Sequence, residues 1–493
     1  MQFTGREQDL SRLAGQWRLV TNGGAANRGQ AIIISGRRRV GKSRLIQEFV
    51  DRTDAPAVVF QATQGRLPAA EMADLIDAIS QSDLPGRELV TGMTPNDWTQ
   101  TLRLLAACLP DEAPSIVVLD EVPWLMQQAN DFEGALQTAW DQYLSTKPVL
   151  LLLIGSDASI MASLQEEKRA FFGRAATMLI EPLPVSDVQD ATDLGPADAI
   201  DAWLVTGGFP GIVASWQAGQ SISDFLAESL ANPLSPLLVS GQLTLLGEFP
   251  QATLSRDVLE AIGSGERTFS AISKAVNRED ALRSGSLSPI LKMLEKRAIV
   301  TSELPLSTQA DTKNRRYRIT DPYLRFWLAF GPTIIRLSDR GRPEVALEYL
   351  VQGWSSWRGR AIEPFVRGSL ERLLPNEQFP QAQFVGGWWN RQNNPEVDLI
   401  GADKSPVAHQ ISFIGSIKWR ENQPFDHRDY VQLAQAATQV PGATEATPLI
   451  AVSRQDDGSH QTPVTTFGPR DLVDAWRPGR TSPVHSNGKK HTV

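Results

Sequence analysis

The segment Gly36-Arg37-Arg38-Arg39-Val40-Gly41-Lys42-Ser43 reads G-x-x-x-x-G-K-S and directly follows the β-branched run Ala31–Ser35 (AIIIS). A strand that ends in such a turn and opens into a helix, here Ser43–Val50, constrains the fold more than any other stretch of the chain. Glycines at both ends let backbone amides wrap an anion, and the helix N-terminus adds partial positive charge at the same point. The residues expected to cradle phosphates are therefore Gly36, Arg37, Arg38, Arg39, Val40, Gly41, Lys42, Ser43 and Arg44. Lys42 is expected to reach the β and γ oxygens, and Ser43 to ligate Mg²⁺. A nucleotide, ATP with Mg²⁺, is the ligand this loop implies.

A second signal lies at the end of the run Ser115–Leu119 (SIVVL), which passes into Asp120-Glu121. Asp120 is placed to hold Mg²⁺, and Glu121 to polarise an attacking water, the step that separates hydrolysis from binding. Ser156 and Asp157 follow the next strand, where a polar side chain can sense the γ-phosphate or simply end the strand. Arg174, in Phe172-Gly173-Arg174, is either an arginine that reaches a phosphate or one arm of an ion pair. Phe3-Thr4-Gly5-Arg6-Glu7 reads as the N-cap of a helix or as a cover for the base.

The rest of the chain must be divided, because 493 residues exceed what one core can hold and suggest roughly three or four folding units. Runs at Ala57–Ala62, Val149–Ile154 and Met178–Ile180 join the two strands above in a parallel α/β unit over residues 1–185. Helical patterns and the turn Gly207-Gly208-Phe209-Pro210 fill 186–241, read as a lid. Over 242–332, helices at Arg256–Ile262, Phe269–Val276 and Ser286–Lys296 precede strands at Ile299–Glu303 and Arg316–Thr320. That order predicts a winged helix with Leu306–Asn314 as its wing. Lys292, Lys296, Arg297, Lys313, Arg315 and Arg316 are then candidates for phosphate contact, or for packing onto the remainder of the chain. A helix over Glu344–Leu374 and strands at Gln383–Gly386, Val397–Ile400, Val407–Phe413 and Leu449–Val452 form a second α/β unit over 333–477. Residues 478–493 lack periodicity and are expected to be a disordered tail.

Composition removes several classes. The one cysteine, Cys108, forms no intrachain disulfide, and a reducing compartment fits. No leader-like segment or long apolar run occurs, so a cytoplasmic protein without membrane association is expected. A net charge of -8 excludes wholesale coating of nucleic acid and confines any DNA contact to local basic faces.

Taken in order, Phe3-x-Gly5-Arg6-Glu7, the Gly-rich loop, Leu119-Asp120-Glu121-Val122-Pro123-Trp124-Leu125, Gly155-Ser156, Phe172-Gly173-Arg174 and Thr206-Gly207-Gly208-Phe209-Pro210 resemble the archaeal-type ATPase family. That family lies in the AAA+/STAND group of P-loop ATPases. The resemblance implies an ASCE-type, AAA+-like parallel sheet of strand order 5-1-4-3-2, a helical lid and a winged helix. It also makes Arg174 a γ-phosphate arginine and hence a catalytic candidate beside Lys42 and Glu121.

The second half resembles the PD-(D/E)XK nuclease-like domain fused to such ATPases, with Tyr317-x-Ile319-x-Asp321-Pro322 as its lead-in. By that resemblance Glu363, Asp398 and Lys418 occupy the helical acid, first metal-binding acid and catalytic lysine positions. Ser416 stands where a second acidic ligand belongs, so either Glu396 or Gln410 compensates or the fold binds without cutting. The expected function is an ATP-hydrolysing switch or remodeller acting on DNA, with homo-oligomerisation open. The alternatives are a regulatory NTPase that acts on protein partners and an active Mg²⁺-dependent nuclease.

Overall fold

The computed structural model describes residues 3–22, 29–248, 253–276, 286–455, 463–477 and 479. The expected tail from 478 onward therefore lies outside the described residues, Gly479 apart. The chain forms two compact units, Met1–Pro182 and Leu183–Val493.

In the first unit the order is α1 (Glu7–Thr21), β1 (Gln30–Ser35), α2 (Lys42–Thr53), β2 (Ala57–Gln61), α3 (Pro68–Gln81), α4 (Trp98–Cys108), β3 (Ser115–Asp120), α5 (Val122–Gln128), α6 (Phe132–Gln142), β4 (Val149–Gly155), α7 (Ala158–Ser163) and β5 (Ala176–Leu179). The strands make one parallel sheet in the order β2-β3-β4-β1-β5. Every residue of β3 and β4 is buried, whereas β2 and β5 have exposed positions, as edge strands do. The apolar runs read from sequence are these strands, because a strand covered on both faces cannot alternate. Their registers place Ser35 opposite Gly155 and Gln61 opposite Asp120, so the carboxyl ends of the strands finish together.

The second unit begins with α8 (Val185–Thr192), α9 (Pro196–Thr206), α10 (Pro210–Val213), α11 (Ile222–Ala231), α12 (Pro236–Glu248), α13 (Thr253–Gly263), α14 (Phe269–Val276) and α15 (Leu287–Lys296). It continues through β6 (Val300–Glu303), β7 (Arg316–Ile319), α16 (Pro322–Ser338), α17 (Pro343–Leu373), β8 (Phe384–Trp389), β9 (Glu396–Ala402), β10 (Ile411–Lys418), α18 (His427–Ala437), β11 (Leu449–Ser453), β12 (Thr465–Phe467) and α19 (Pro469–Asp474). β6 and β7 pair antiparallel. The second sheet runs β12-β11-β10-β9-β8, antiparallel from β8 to β10 and parallel from β10 to β12.

Three sequence expectations need correction here. The boundary expected at Gly241 falls inside α12: a Cβ there would lie 2.3 Å from the Trp327 ring, so the glycine serves close helix approach rather than a chain break. The boundary expected at Pro332 falls inside α16, which carries that proline internally. The strand expected at Val407–Phe413 lies instead at Ile411–Lys418. Val407 bridges to Ser307 and the Ala408 amide donates to the Ser307 carbonyl (2.9 Å), which removes that run from the sheet.

The same contacts dock the loop between β6 and β7, the expected wing, onto the second sheet. Leu306 is buried there and its amide donates to the Gly387 carbonyl (2.8 Å), while the Trp389 indole N–H donates to the Asn314 carbonyl (2.8 Å).

Within this unit one charge network is centred on a buried pair, Asp201 and Arg358. Asp201 on α9 accepts from Arg358 Nη1 on α17 (2.8 Å), from Trp419 Nε1 (2.9 Å) and from Arg454 Nε (3.2 Å). Asp201 is 0% and Arg358 2% exposed. Breaking a buried pair strands the remaining charges. Asp201→Ala is therefore expected to cost about 3–5 kcal/mol in urea unfolding, whereas Arg477→Ala, which removes the exposed pair with Asp190, is expected to cost at most about 1 kcal/mol. Equal losses for the two variants would show that the network contributes nothing special.

Candidate functional site

β1 delivers the chain at Ser35 into the Gly-rich loop. A Cβ on Gly36 would lie 2.4 Å from the Ile180 carbonyl oxygen, so only glycine lets the loop leave the sheet at this point. The turn closes through positive φ at Arg39 (68°) and Gly41 (87°), after which α2 starts at Lys42. Val40 is buried, and its carbonyl accepts a hydrogen bond from the Arg6 guanidinium. Arg6 also donates to the Glu181 carbonyl (2.7 Å) and to Asp9 (3.0 Å). The residue read as part of a plain N-cap thus fastens the loop from behind. It sits at φ 68° with its side chain buried, a conformation paid for only where the surroundings dictate it.

Lys42 Nζ donates to the carbonyls of Gly36 (2.8 Å) and Arg37 (3.0 Å). Burial lowers its pKa, and the nearby carboxylates of Glu121 and Asp120 oppose that shift. Ser43 Oγ donates to Asp120 Oδ2 at 2.6 Å, and Asp120 Oδ1 accepts from the Glu121 amide at 2.8 Å. Glu121 adopts φ 55° at the start of α5, and its carboxylate accepts from Ser156 Oγ at 2.9 and 3.2 Å. The loop after β1, the end of β3 and the residue after β4 therefore meet in one cluster of Lys42, Ser43, Asp120, Glu121 and Ser156.

These groups fit a magnesium nucleotide. The lysine is held by main-chain carbonyls rather than spent in an ion pair, and a hydroxyl and a carboxylate oxygen lie side by side as hard donors suited to Mg²⁺. Around them, Arg38 lies 6.0 Å from the Trp124 ring and Arg44 pairs with Glu48 at 3.6 Å.

Arg174 is not brought into this cluster. Its guanidinium binds Asp141 on α6 through two bonds of 2.8 Å and donates to the carbonyls of Ala170 and Phe172, both at 3.0 Å. That pairing, its hydrogen bonds first, holds the Asp141 carboxyl below the usual carboxylate range.

The parallel sheet with its Gly-rich loop between β1 and α2 is the fold of a P-loop ATPase. Residues 28–189 match the AAA domain family. Over 438 residues the chain is 22% identical to an uncharacterized protein of Methanocaldococcus jannaschii, covering 85% of this chain and 88% of that one. Among solved structures, the Walker-type ATPase of Pyrococcus abyssi superposes with a TM-score of 0.48 at 17% identity, covering 68% of this chain and 96% of that chain. The ORC1 protein of Aeropyrum pernix, solved in complex with DNA, gives a TM-score of 0.33 at 16% identity, covering 68% and 95%. No helix among the described residues is long and apolar enough to cross a membrane.

In the second unit, Asp398 on β9 and Ser416 on β10 face each other. Asp398 Oδ2 accepts from Ser416 Oγ (3.0 Å) and from the Ile417 amide (2.8 Å), and burial pushes its pKa up. Glu363 on α17 lies 3.5 Å from Arg367 and 3.7 Å from Arg267, and burial raises its pKa as well. Lys418 sits 3.5 Å from Asp429 on α18. Glu396, one candidate to replace the missing acid, is taken up by Arg316: Nη2 donates to its Oε2 at 3.0 Å, and the guanidinium stacks 4.1 Å from the Trp389 ring. Gln410, the other, donates its amide to Asp403 at 3.0 Å, beside the turn into β10.

Two carboxyls, one of them between two guanidiniums, are not a donor set suited to Mg²⁺. Among the described residues no group of three or more His, Cys, Asp or Glu side chains is arranged to hold a metal. Trp388 and Trp389 are buried.

Arginine neutralises the buried acids of this region. Burial works against ionisation of Glu303, yet the guanidiniums of Arg367 and Arg318 hold its pKa down to about 2. Because the folded value is depressed from about 4.5, the stability this ion contributes is present above pH 4.5 and is lost as pH falls toward 2. Glu303→Gln is expected to lose about 3 kcal/mol at neutral pH and to show a shallower acid limb between these values, measured by urea unfolding as a function of pH. An unchanged acid limb would remove Glu303 from the account.

Proposed function

We propose that the chain is a Mg²⁺-dependent, ATP-binding and hydrolysing switch that acts on DNA. The observation that carries the catalytic part is the Ser43–Asp120 hydrogen bond at 2.6 Å beside Lys42 and the Ser156-bound Glu121. In this reading the amides of residues 36–43 hold the phosphates. Lys42 exchanges its two carbonyl contacts for phosphate oxygens, while Ser43 and Asp120 hold the ion. Bound Mg²⁺ neutralises charge on the β and γ oxygens. Glu121 orients and deprotonates water, and Ser156 fixes its carboxylate until that step. Arg174 reaches a phosphate only by leaving Asp141, so it contributes in a second conformation or not at all.

The helices α8–α12 serve as the lid, α13–β7 as the winged helix and α17–β12 as a nuclease-like module that binds without cutting. DNA contact falls to the exposed Lys292, Lys296 and Arg297 on and beside α15. Arg316 is buried against Trp389 and takes no part. A second reading, a regulatory NTPase that acts on a protein partner, is favoured by one observation: the β6–β7 loop is bonded to the second sheet rather than projecting as a wing.

Turnover measured with and without duplex DNA separates the two. Glu121→Gln is expected to lower ATP turnover at least about 100-fold while retaining ATP, and Lys42→Ala to weaken nucleotide binding. DNA is expected to stimulate the wild type, with DNA binding that weakens with salt and on Lys296→Glu. Turnover indifferent to DNA, with no salt-dependent binding, eliminates the DNA reading. For the C-terminal module, plasmid is expected to survive incubation with Mg²⁺; cleavage that Asp398→Ala abolishes would establish an active nuclease instead.

A further inference from the structure

The second unit contains a cavity of about 30 Å³ between the end of α13, β7, α16 and α17, and its lining is unusually cationic. Arg267, Arg318, Arg325 and Arg360 all line it, together with Trp357. The fold builds the positions firmly. The Tyr317 amide donates to the Arg267 carbonyl at 2.7 Å, and Thr268 bridges to Arg316, so the segment carrying Arg267 extends the β7 edge. Arg325 Nη2 donates to the Arg360 carbonyl at 2.8 Å and Nη1 to that of Ala361 at 3.5 Å. Arg360 Nε donates to the Ser356 carbonyl at 3.3 Å.

Carboxylates answer only part of this charge. Glu303 binds Arg318, and Arg267 lies 3.7 Å from Glu363 and 3.9 Å from Glu396, acids it shares with Arg367 and Arg316. Arg325 and Arg360 bond to main-chain carbonyls, and among the described residues neither forms an ion pair with a carboxylate. Two further donors are unspent. Arg267 Nη2 makes only the long 3.7 Å ion pair with Glu363 and no hydrogen bond, and Nε1 of Trp357, a residue 6% exposed, is a buried atom without a hydrogen-bond partner. Buried N–H groups are rarely left unsatisfied, because each one costs about 1–3 kcal/mol. Arg360 meets only a main-chain carbonyl, Arg325 shares Glu363 and Glu303 with Arg267 and Arg318, and two N–H groups lack hydrogen bonds; around one small space these describe the complement of an oxyanion.

We propose that this cavity binds a phosphate group, with Arg267, Arg325 and Arg360 supplying charge and Trp357 a neutral N–H. Phosphate fits better than carboxylate. Its charge of roughly -2 exceeds that of a carboxylate, and its several acceptor oxygens can engage donors arriving from a strand edge and two helices. The cavity is small, so any sugar, base or alkyl portion of the ligand stays outside. The site is independent of the ATP cluster and of α15, and it assigns the second unit a ligand whether or not that unit cuts nucleic acid.

The test uses the full chain with ¹⁵N-labelled tryptophan, the Trp357 indole signal being assigned as the one lost in Trp357→Phe. Inorganic phosphate is expected to shift that signal saturably, and sodium chloride at equal ionic strength is expected to leave it in place. Arg360 is exposed, so Arg360→Gln preserves the fold, checked by circular dichroism, and is expected to weaken the phosphate response about tenfold, roughly what losing one charge-assisted bond implies. No saturable shift, an equal shift with chloride, or an unchanged response in Arg360→Gln overturns the proposal. Two further titrations identify the source within a positive result. Glycerol phosphate acting alone marks a small phosphate ester, and a short DNA duplex moving the same signal marks a backbone phosphate. Loss of DNA-stimulated ATP turnover without loss of this shift would count against the DNA reading and leave the phosphate site standing.

Discussion

The Ser43–Asp120 hydrogen bond ties the first turn of α2 to the last residue of β3, and it depends on a sheet whose central strands end level. In a parallel sheet, residues from different strands meet only where the strands finish, and those ends must hold polar groups over an apolar interior. Here β3 and β4 are buried throughout, which fixes their register and therefore the positions of Asp120, Glu121 and Ser156. Glu121 at φ 55° and Arg39 at φ 68° are strained for side-chain-bearing residues, the first within the cluster and the second in the loop that carries Lys42 and Ser43. Rigid burial below supports local strain above, and that strain turns the carboxylate and the loop toward the same point.

What the sequence made legible follows from distance along the chain. The Gly-rich loop and the Asp120-Glu121 pair each carry their meaning within a few residues, next to apolar runs that can only be buried strands. Arg6 was legible as part of a motif but not as the brace of the loop, since its partners Val40 and Glu181 lie 34 and 175 positions away. For Arg174 the sequence left a phosphate contact and an ion pair open, because the bidentate partner Asp141 lies 33 positions away. The shifted strand β10 shows tertiary pairing overriding propensity. Val407 and Ala408 have strand-like character but spend it on Ser307, while Gly415 and Ser416, which propensity disfavours, lie inside the sheet. β12 was missed because three residues, Thr465–Phe467, leave too short a pattern.

The second unit is organised by arginine. Arg358 satisfies Asp201 in the core, Arg316 stacks on Trp389 while pairing with Glu396, and Arg367 joins Glu303, Glu363 and the Asp398 carbonyl. Guanidinium is suited to this use because its planar fork meets carboxylates and ring faces with little further loss of freedom. The β6–β7 hairpin is joined to the second sheet through such contacts, so displacement of the hairpin would have to break charged, partly buried bonds rather than slide across an apolar surface.

This arrangement also bears on Ser416. A site holding a divalent cation concentrates carboxylates whose mutual repulsion the ion relieves; remove one carboxylate and the remaining charge is too small to hold the ion well. In the second unit Ser416 stands opposite Asp398, and guanidiniums stand beside Glu363. Once arginines neutralise the acids from within the chain, their number is no longer limited by the acids they face. Any excess cation then becomes available to an external anion. Arg360, bonded only to a main-chain carbonyl, and Arg325, which shares its acids with Arg267 and Arg318, are where that excess lies, and it is this excess that the proposed phosphate would meet.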